Sequence, residues 1–228
     1  MVSETLLGVG LYSLPEAARL LRMPSATLRT WVEGRSVPSK EGRQVVLPVL
    51  HRPLQKVEGE TVLTFQDLIE LHFISLFRSE GVSLQTIRAA SERAAVLFRT
   101  DHPFAVQRLR TDGKRIFAEL TPKDIEAVRY DKILDELALG QTVIDSLAKS
   151  FFRKLDYDAH EVRRWWPLGR ENRVVLDSER AFGKPIDAKS GVPTHALYRM
   201  VRGGESPERV AAWYGVELEA VQAAIEVG

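Results

Sequence analysis

The sequence predicts an α+β fold, mainly helical, and three observations carry that expectation. Apolar residues recur at helical spacing in several long segments of the 228-residue chain. Two segments at opposite ends of the chain each lay out a helix, a tight turn and a second helix. Elsewhere, short apolar runs are separated by turn residues, the pattern of small strands and hairpins.

The first of the two end segments is "SLPEAARLLRMPSATLRTWV", residues 13 to 32. Ser13 and Glu16 form an S-x-x-E capping box, Pro15 suits a first turn, and Ala17, Ala18, Leu20 and Leu21 share one face. Met23-Pro24 stops that helix. Ser25 is expected to cap a second helix reaching Glu33, with Leu28 and Val32 inward and Gly34 as the terminator. Next, "QVVLPVL" and "ETVLTF", joined by "HRPLQKVEG", read as one β-hairpin, a wing beside the helix pair. Phe65 to Ser79 has helical spacing and ends at Gly81, and Ser83 opens a further helix to Phe98.

The centre is read more coarsely. "FAVQRLRTDGKRIFAEL" suggests two strands joined by a turn at Asp112-Gly113, while "KDIEAVRYDKILDEL" and the stretch from Thr142 to Phe152 favour helix. "KLDYDAHEVRRWW" suggests a hairpin and Pro167 to Asn172 a short linker. "RVVLD" and "KPID" read as small strands, and Val192 to Val201 as a helix ended by Gly203-Gly204. Pro207 to Tyr214 and Leu218 to Val227 complete the second helix-turn-helix plan. The expected division is a winged helix-turn-helix domain over 1–100, a mixed connecting or dimerisation region over 101–168, and a helical domain over 169–228.

Composition excludes several classes. The chain has no cysteine, so disulfides, thiolate nucleophiles and cysteine-held zinc are absent. No apolar run approaches the roughly 18 residues of a membrane span, and "MVSETLLGVGLY" lacks the pattern of a signal peptide. A cytoplasmic protein without a membrane partner is expected. Enzyme motifs are missing: the five histidines show no H-E-x-x-H spacing, and there is neither a P-loop nor G-x-S-x-G. Gly8-Val9-Gly10 lacks the third glycine of a dinucleotide loop, and Asp156 with Asp158 reads as a solvated turn. No enzymatic activity, metal or cofactor is expected.

The net charge of +1 conceals a polarised chain. Between Ser13 and Lys56, eight basic residues face three acidic ones, whereas from Gly203 onward Arg209 stands against five glutamates. The two end segments align at a constant offset of 193. Ala18 then matches Ala211, Leu20 Trp213, Leu21 Tyr214, Met23 Val216, Leu28 Val221 and Val32 Ile225, so inward positions agree in type. Outward positions do not: Arg22, Ser25, Thr27, Arg29 and Arg35 face Gly215, Leu218, Ala220, Gln222 and Gly228.

A DNA-reading helix must neutralise phosphates and offer donors to base edges. Only the first copy does so. Arg29 is the principal candidate for a base or phosphate contact, with Arg22, Ser25, Thr27 and Arg35 beside it. Arg43, His51, Arg52 and Lys56 are candidates to hold flanking backbone from the wing. The acidic second copy reads as a helical interaction module for a protein partner or a second subunit. "EVRRWWPLGREN" adds a hot-spot composition, with Arg163, Arg164, Arg170 and Arg173 around Trp165 and Trp166. Alternate strand residues face opposite sides, so one of these tryptophans can equally be core.

Two resemblances follow from these residues. "SLPEAARLLRMPSATLRTW" with "TFQDLIELHFISLFRSEGVSLQTIR" resembles the DNA-binding head of MerR-type regulators over the first 90 residues or so. Those regulators continue into a long dimerising helix, which Asp101-His102-Pro103 interrupts here. The end of the chain resembles a short bacterial domain common in antitoxins, with Gly183, Lys184, Pro185, Gly191, Pro193, Gly204, Ser206, Glu208 and Tyr214 at its characteristic positions. Ala188-Lys189-Ser190 replaces the A-G-T often found there. Together head and tail resemble the large VapB-type antitoxins.

That resemblance implies a type II antitoxin that neutralises a PIN-domain ribonuclease toxin and autorepresses its operon by binding operator DNA. It also implies a partner whose metal-holding carboxylates an arginine can occlude. A homodimer or higher oligomer is expected, because one small winged head rarely gives enough specificity and two half-sites do. Two other readings stay open: a MerR-like regulator answering a small ligand in the middle region, and an interaction adaptor without DNA binding.

Overall fold

A computed structural model describes residues 10–39, 42–50, 55–120, 130–159 and 161–228. Contacts gather the described residues into two compact units, 12–150 and 151–228, the latter with Gly10 and Leu11. The expected middle region is therefore shared out, its helices going to the first unit and its hairpin to the second.

In the first unit, β1 (Leu11–Ser13) runs into α1 (Leu14–Leu20), followed by α2 (Ser25–Glu33). Ser13 and Glu16 make the expected capping box, which fixes where α1 begins. Pro24, not Ser25, is the N-cap of α2, and no side chain caps it. Gly34, at φ 71°, ends α2 in a conformation glycine tolerates.

The single hairpin expected between "QVVLPVL" and "ETVLTF" is replaced by two local ones. β2 (Arg35–Ser39) pairs antiparallel with β3 (Gly42–Val46), and β4 (Gln55–Val57) pairs antiparallel with β5 (Glu60–Thr64). β5 also neighbours β1, giving a three-stranded sheet in the order β1-β5-β4. Short loops pair strands with less closure entropy than the long connection that the expected hairpin required.

α3 (Phe65–Ser79) starts at a second capping box, Thr64 with Asp67, and α4 (Leu84–Phe98) is capped by Ser83. Asp67 and Glu70 are buried on α3, and His102 Nδ1 lies 3.7 Å and 3.4 Å from their carboxylates. The two strands expected around Asp112-Gly113 are instead one helix, α5 (Leu109–Glu119). It lies against α6 (Tyr130–Ser150), a single helix that takes in 130–137 of the first stretch read as helical there and 142–150 of the second; residues 121–129 fall outside the described part. A methyl at Gly113 would meet Ile144 at 3.0 Å, and one at Gly140 would run into the Phe117 ring. Both glycines thus serve close helix packing rather than a turn. Phe77 meets Phe104 and Phe117 at centroid separations of 5.8 and 5.4 Å, filling the core beneath.

The second unit opens with an antiparallel four-stranded sheet: β6 (Leu155–Asp158), β7 (Glu161–Trp165), β8 (Val174–Asp177) and β9 (Pro185–Asp187), paired in sequence order. The hairpin and small strands expected here are present. α7 (Thr194–Arg202), α8 (Pro207–Tyr214) and α9 (Leu218–Val227) follow, sharing a core of Leu197, Val210, Val221 and Ala224. Among the described residues, no helix is long and apolar enough to cross a membrane.

Candidate nucleic-acid interface

The helix pair α1–α2 holds its buried side with Ala17, Ala18, Leu21, Leu28, Trp31 and Val32. Each large apolar side chain buried here contributes about 1.5–3 kcal/mol. Those contacts fix which residues face outward. Arg22, Ser25, Thr27 and Arg29 are all exposed, on the turn and on the free face of α2. Because α2 lacks a side-chain cap, its first N–H groups join the hydroxyls of Ser25 and Thr27 as donors at that end.

Acidic residues near this face are tied down. Glu16 accepts from the Ser13 N–H at 3.0 Å and from its hydroxyl at 2.9 Å. Glu33 accepts from the Thr61 hydroxyl at 2.9 Å. Arg19, exposed in the last turn of α1, extends the cationic surface. Its i, i+3 spacing from Arg22 is the signal that sequence reasoning could have used.

The β2–β3 hairpin follows α2 directly and carries Arg35 and Arg43, both exposed. Arg43 Nε donates to Ser36 Oγ across the hairpin at 3.0 Å, which holds the guanidinium along the strands. Arg88 on α4 is a residue the sequence reading missed. Its Nε donates to the Pro48 carbonyl at 3.0 Å and its Nη2 to that of Leu47 at 2.7 Å, pinning the chain just after the hairpin. Partial burial lowers the Arg88 pKa, with Glu92 opposing the shift. Lys56 is exposed on β4, in the other sheet. His51 and Arg52 lie outside the described residues.

The second candidate cluster has a different character. Trp165 is buried, edge-on to Phe151 at 6.4 Å, so its expected place in an interface is corrected to the core. Trp166 is half-buried and donates from Nε1 to Asp156 at 2.9 Å. Arg164 Nε donates to the fully buried Asp177 at 2.7 Å, and that bond raises the arginine's pKa. Arg163 pairs with Glu179 and lies 3.5 Å from Asp158.

Arg170 donates to the Arg153 and Leu155 carbonyls at 2.7 and 3.0 Å and pairs with Asp156. Arg173 bonds Asp187 at 3.0 Å and also Glu217, which raises the Arg173 pKa and, with Lys189, lowers that of Glu217. All four arginines are therefore committed to carboxylates of their own unit, where they hold the sheet and its turns together.

The end-to-end repeat is also geometric. Met23 N–H bonds the Ala18 carbonyl at 2.9 Å, and Val216 N–H bonds that of Ala211 at 3.0 Å. Thr27 N–H to Pro24 and Ala220 N–H to Glu217 are both 3.0 Å. Arg22 and Gly215 occupy the same left-handed turn position, at φ 52° and 62°. Burial then separates the copies. Thr27 is exposed but its counterpart Ala220 is buried, whereas Leu21 and Val32 are buried but Tyr214 and Ile225 are exposed. The C-terminal motif has turned a different side outward.

The chain thus carries a basic helix-turn-helix head and a second, acidic helix-turn-helix, and comparison matches a family model to each end. Residues 10–91 match the family described as "Putative DNA-binding HTH domain". Residues 174–226 match the one described as "Protein of unknown function (DUF433)". Nearly the whole chain is similar to "Putative antitoxin VapB45" of Mycobacterium tuberculosis, at 26% identity over 96% of this chain and 93% of that protein. "Uncharacterized protein Rv2308" of the same organism is 25% identical over 94% of this chain and 88% of that protein. The X-ray crystal structure of Rv2018 from Mycobacterium tuberculosis shares the fold, with a TM-score of 0.71 over 96% of this chain and 98% of that one at 24% identity. The resemblance to VapB-type antitoxins with a helix-turn-helix head thus extends along the chain.

Proposed function

We propose that this protein is the antitoxin of a type II toxin-antitoxin pair, which binds a PIN-domain ribonuclease toxin and autorepresses its operon through operator DNA. The observation that carries the reading is the pairing of an exposed cationic face, Arg22, Ser25, Thr27 and Arg29, with similarity to VapB45 along nearly the full chain. The same face gives the DNA part of the reading its chemistry: hydroxyl and N–H donors surrounded by arginines suit phosphates and base edges. Two copies would read two half-sites, because one small head contacts too little DNA for high specificity. The protein acts by binding and needs no catalytic group or cofactor.

Co-expression with the neighbouring gene product tests the protein half of the proposal. Restored growth and co-purification are expected; a chain that neither rescues nor binds is not an antitoxin for that product. The DNA half is tested on a labelled duplex from upstream of the gene. Binding should weaken steeply as salt rises, and a flat salt response removes the claim.

A further inference from the structure

We infer that the outer face of α8–α9, built on Trp213, Tyr214 and Ile225, docks a cationic amphipathic segment of a partner protein. The inference deepens the antitoxin reading, on which it rests only for the existence of a protein partner.

The internal repeat supplies the reference state. In the N-terminal motif the positions equivalent to Tyr214 and Ile225 are Leu21 and Val32, exposed by only 5% and 4% because the head covers them with its own chain. In the C-terminal motif Tyr214 and Ile225 are each 39% exposed and Trp213 54%, so the corresponding positions are much less covered. Large aromatic and aliphatic side chains left exposed on a motif whose twin buries the Tyr214 and Ile225 positions are candidates for a covered surface.

Charge selects the occupant. α9 contains no basic residue, and it exposes Glu219 and Glu226 as well as Ile225. On α8, Arg209 lies 5.0 Å above the Trp213 ring and 3.2 Å from Glu205, so this indole already accepts a guanidinium backed by a carboxylate. A partner segment presenting apolar anchors flanked by lysine or arginine repeats that contact from outside. A second copy meeting this face across a two-fold axis would bring like carboxylates together, and nucleic acid meets the same repulsion.

The test uses the full-length chain against a phage-displayed library of short helical peptides. Enrichment of basic amphipathic sequences is expected. Their affinity should fall at least roughly tenfold in Trp213→Asp combined with Ile225→Asp, with an unchanged circular dichroism spectrum. Glu219→Lys with Glu226→Lys should shift selection towards acidic peptides. No enrichment, enrichment of acidic peptides by the parent chain, or binding indifferent to both double variants overturns the inference. So does a concentration-dependent dimer that Trp213→Asp dissolves, because the occupant is then a second copy. Growth rescue is scored separately: rescue without basic-peptide selection removes this inference alone, and selection without rescue removes the antitoxin reading alone.

Discussion

The helix-turn-helices at the two ends share a backbone and differ in what they expose. Both start at a serine N-cap, both turn through a left-handed residue, and both bury Ala17/Val210, Ala18/Ala211 and Leu28/Val221 at the same offset. The first keeps Thr27 outside, whereas the second buries Ala220 and Ala223 at the sites of Thr27 and Thr30. In the second copy α9 packs against α7 and β8, which belong to its own unit. The acidic copy is thus unable to present the Thr27 position to a groove, independently of its charge. A helix-turn-helix is defined by its inward residues, and its ligand by which remaining sides the rest of the chain leaves open.

Core truncation gives the largest expected effect. Leu28 and Val221 are both fully buried at equivalent positions. Leu28→Ala should destabilise the first unit by about 2–5 kcal/mol, and Val221→Ala the second by about 1.5–3 kcal/mol. Hydrogen exchange followed by mass spectrometry distinguishes the units. Protection lost in both units on either substitution would show that the copies fold as one cooperative body.

Next is the functional contrast. Arg29→Ala should weaken duplex binding by about 1–3 kcal/mol, or roughly 5- to 150-fold, with a shallower salt slope if the contact is to phosphate. Gln222→Arg, which installs the same cation at the matching site, should restore none of the duplex affinity lost by a chain lacking Arg29. Fluorescence anisotropy at two salt concentrations measures both, and DNA binding restored by Gln222→Arg would break the distinction drawn from burial.

Much of this was legible in the sequence because it depended on neighbours. The Ser13–Glu16 box, the stop at Gly34 and the helix from Phe65 to Ser79 are set within a few residues of each element. The errors arise where distant partners decide. Asp112-Gly113 has the chemistry of a hairpin turn, yet Gly113 lies inside α5 because Ile144, 31 positions further along the sequence, leaves no room for a β-carbon.

"RSVPS" has little strand propensity and contains a proline, so β2 was not expected; it forms because β3 pairs with it across a short connection. The arginines of "EVRRWWPLGREN" have interface composition, but Asp156, Asp177, Asp187 and Glu217 neutralise them from other elements. No local pattern announces those pairs.

A smaller effect separates the turns. Arg22 holds a left-handed backbone that its twin assigns to Gly215. That conformation costs a non-glycine residue about 1–2 kcal/mol, against the roughly 0.5–1 kcal/mol of extra chain entropy that glycine loses on folding. Arg22→Gly should therefore raise stability by several tenths to about 1 kcal/mol while weakening duplex binding. Opposite signs in a urea melt and an anisotropy titration would mark strain retained for a contact. Lower stability in the variant would show that Arg22 is held by its own structure instead.

The smallest contrast lies at the caps. Ser13 both accepts from the Glu16 N–H and is bonded in return by the Glu16 carboxylate. Ser206 accepts from the Arg209 N–H at 3.3 Å, and an arginine cannot complete the box. Ser13→Ala should thus cost more than Ser206→Ala, within the range of about 0.5–2 kcal/mol for such caps. Thermal melts resolve the order, and an equal or larger loss at Ser206 would discount the reciprocal bond. Arg209→Glu would complete the box in α8 but remove the guanidinium from the Trp213 ring, a contact worth about 0.5–1 kcal/mol at an exposed site. The variant also replaces the Arg209–Glu205 pair with two like charges, so it should leave α8 slightly less stable and alter chiefly what the exposed indole is ready to bind.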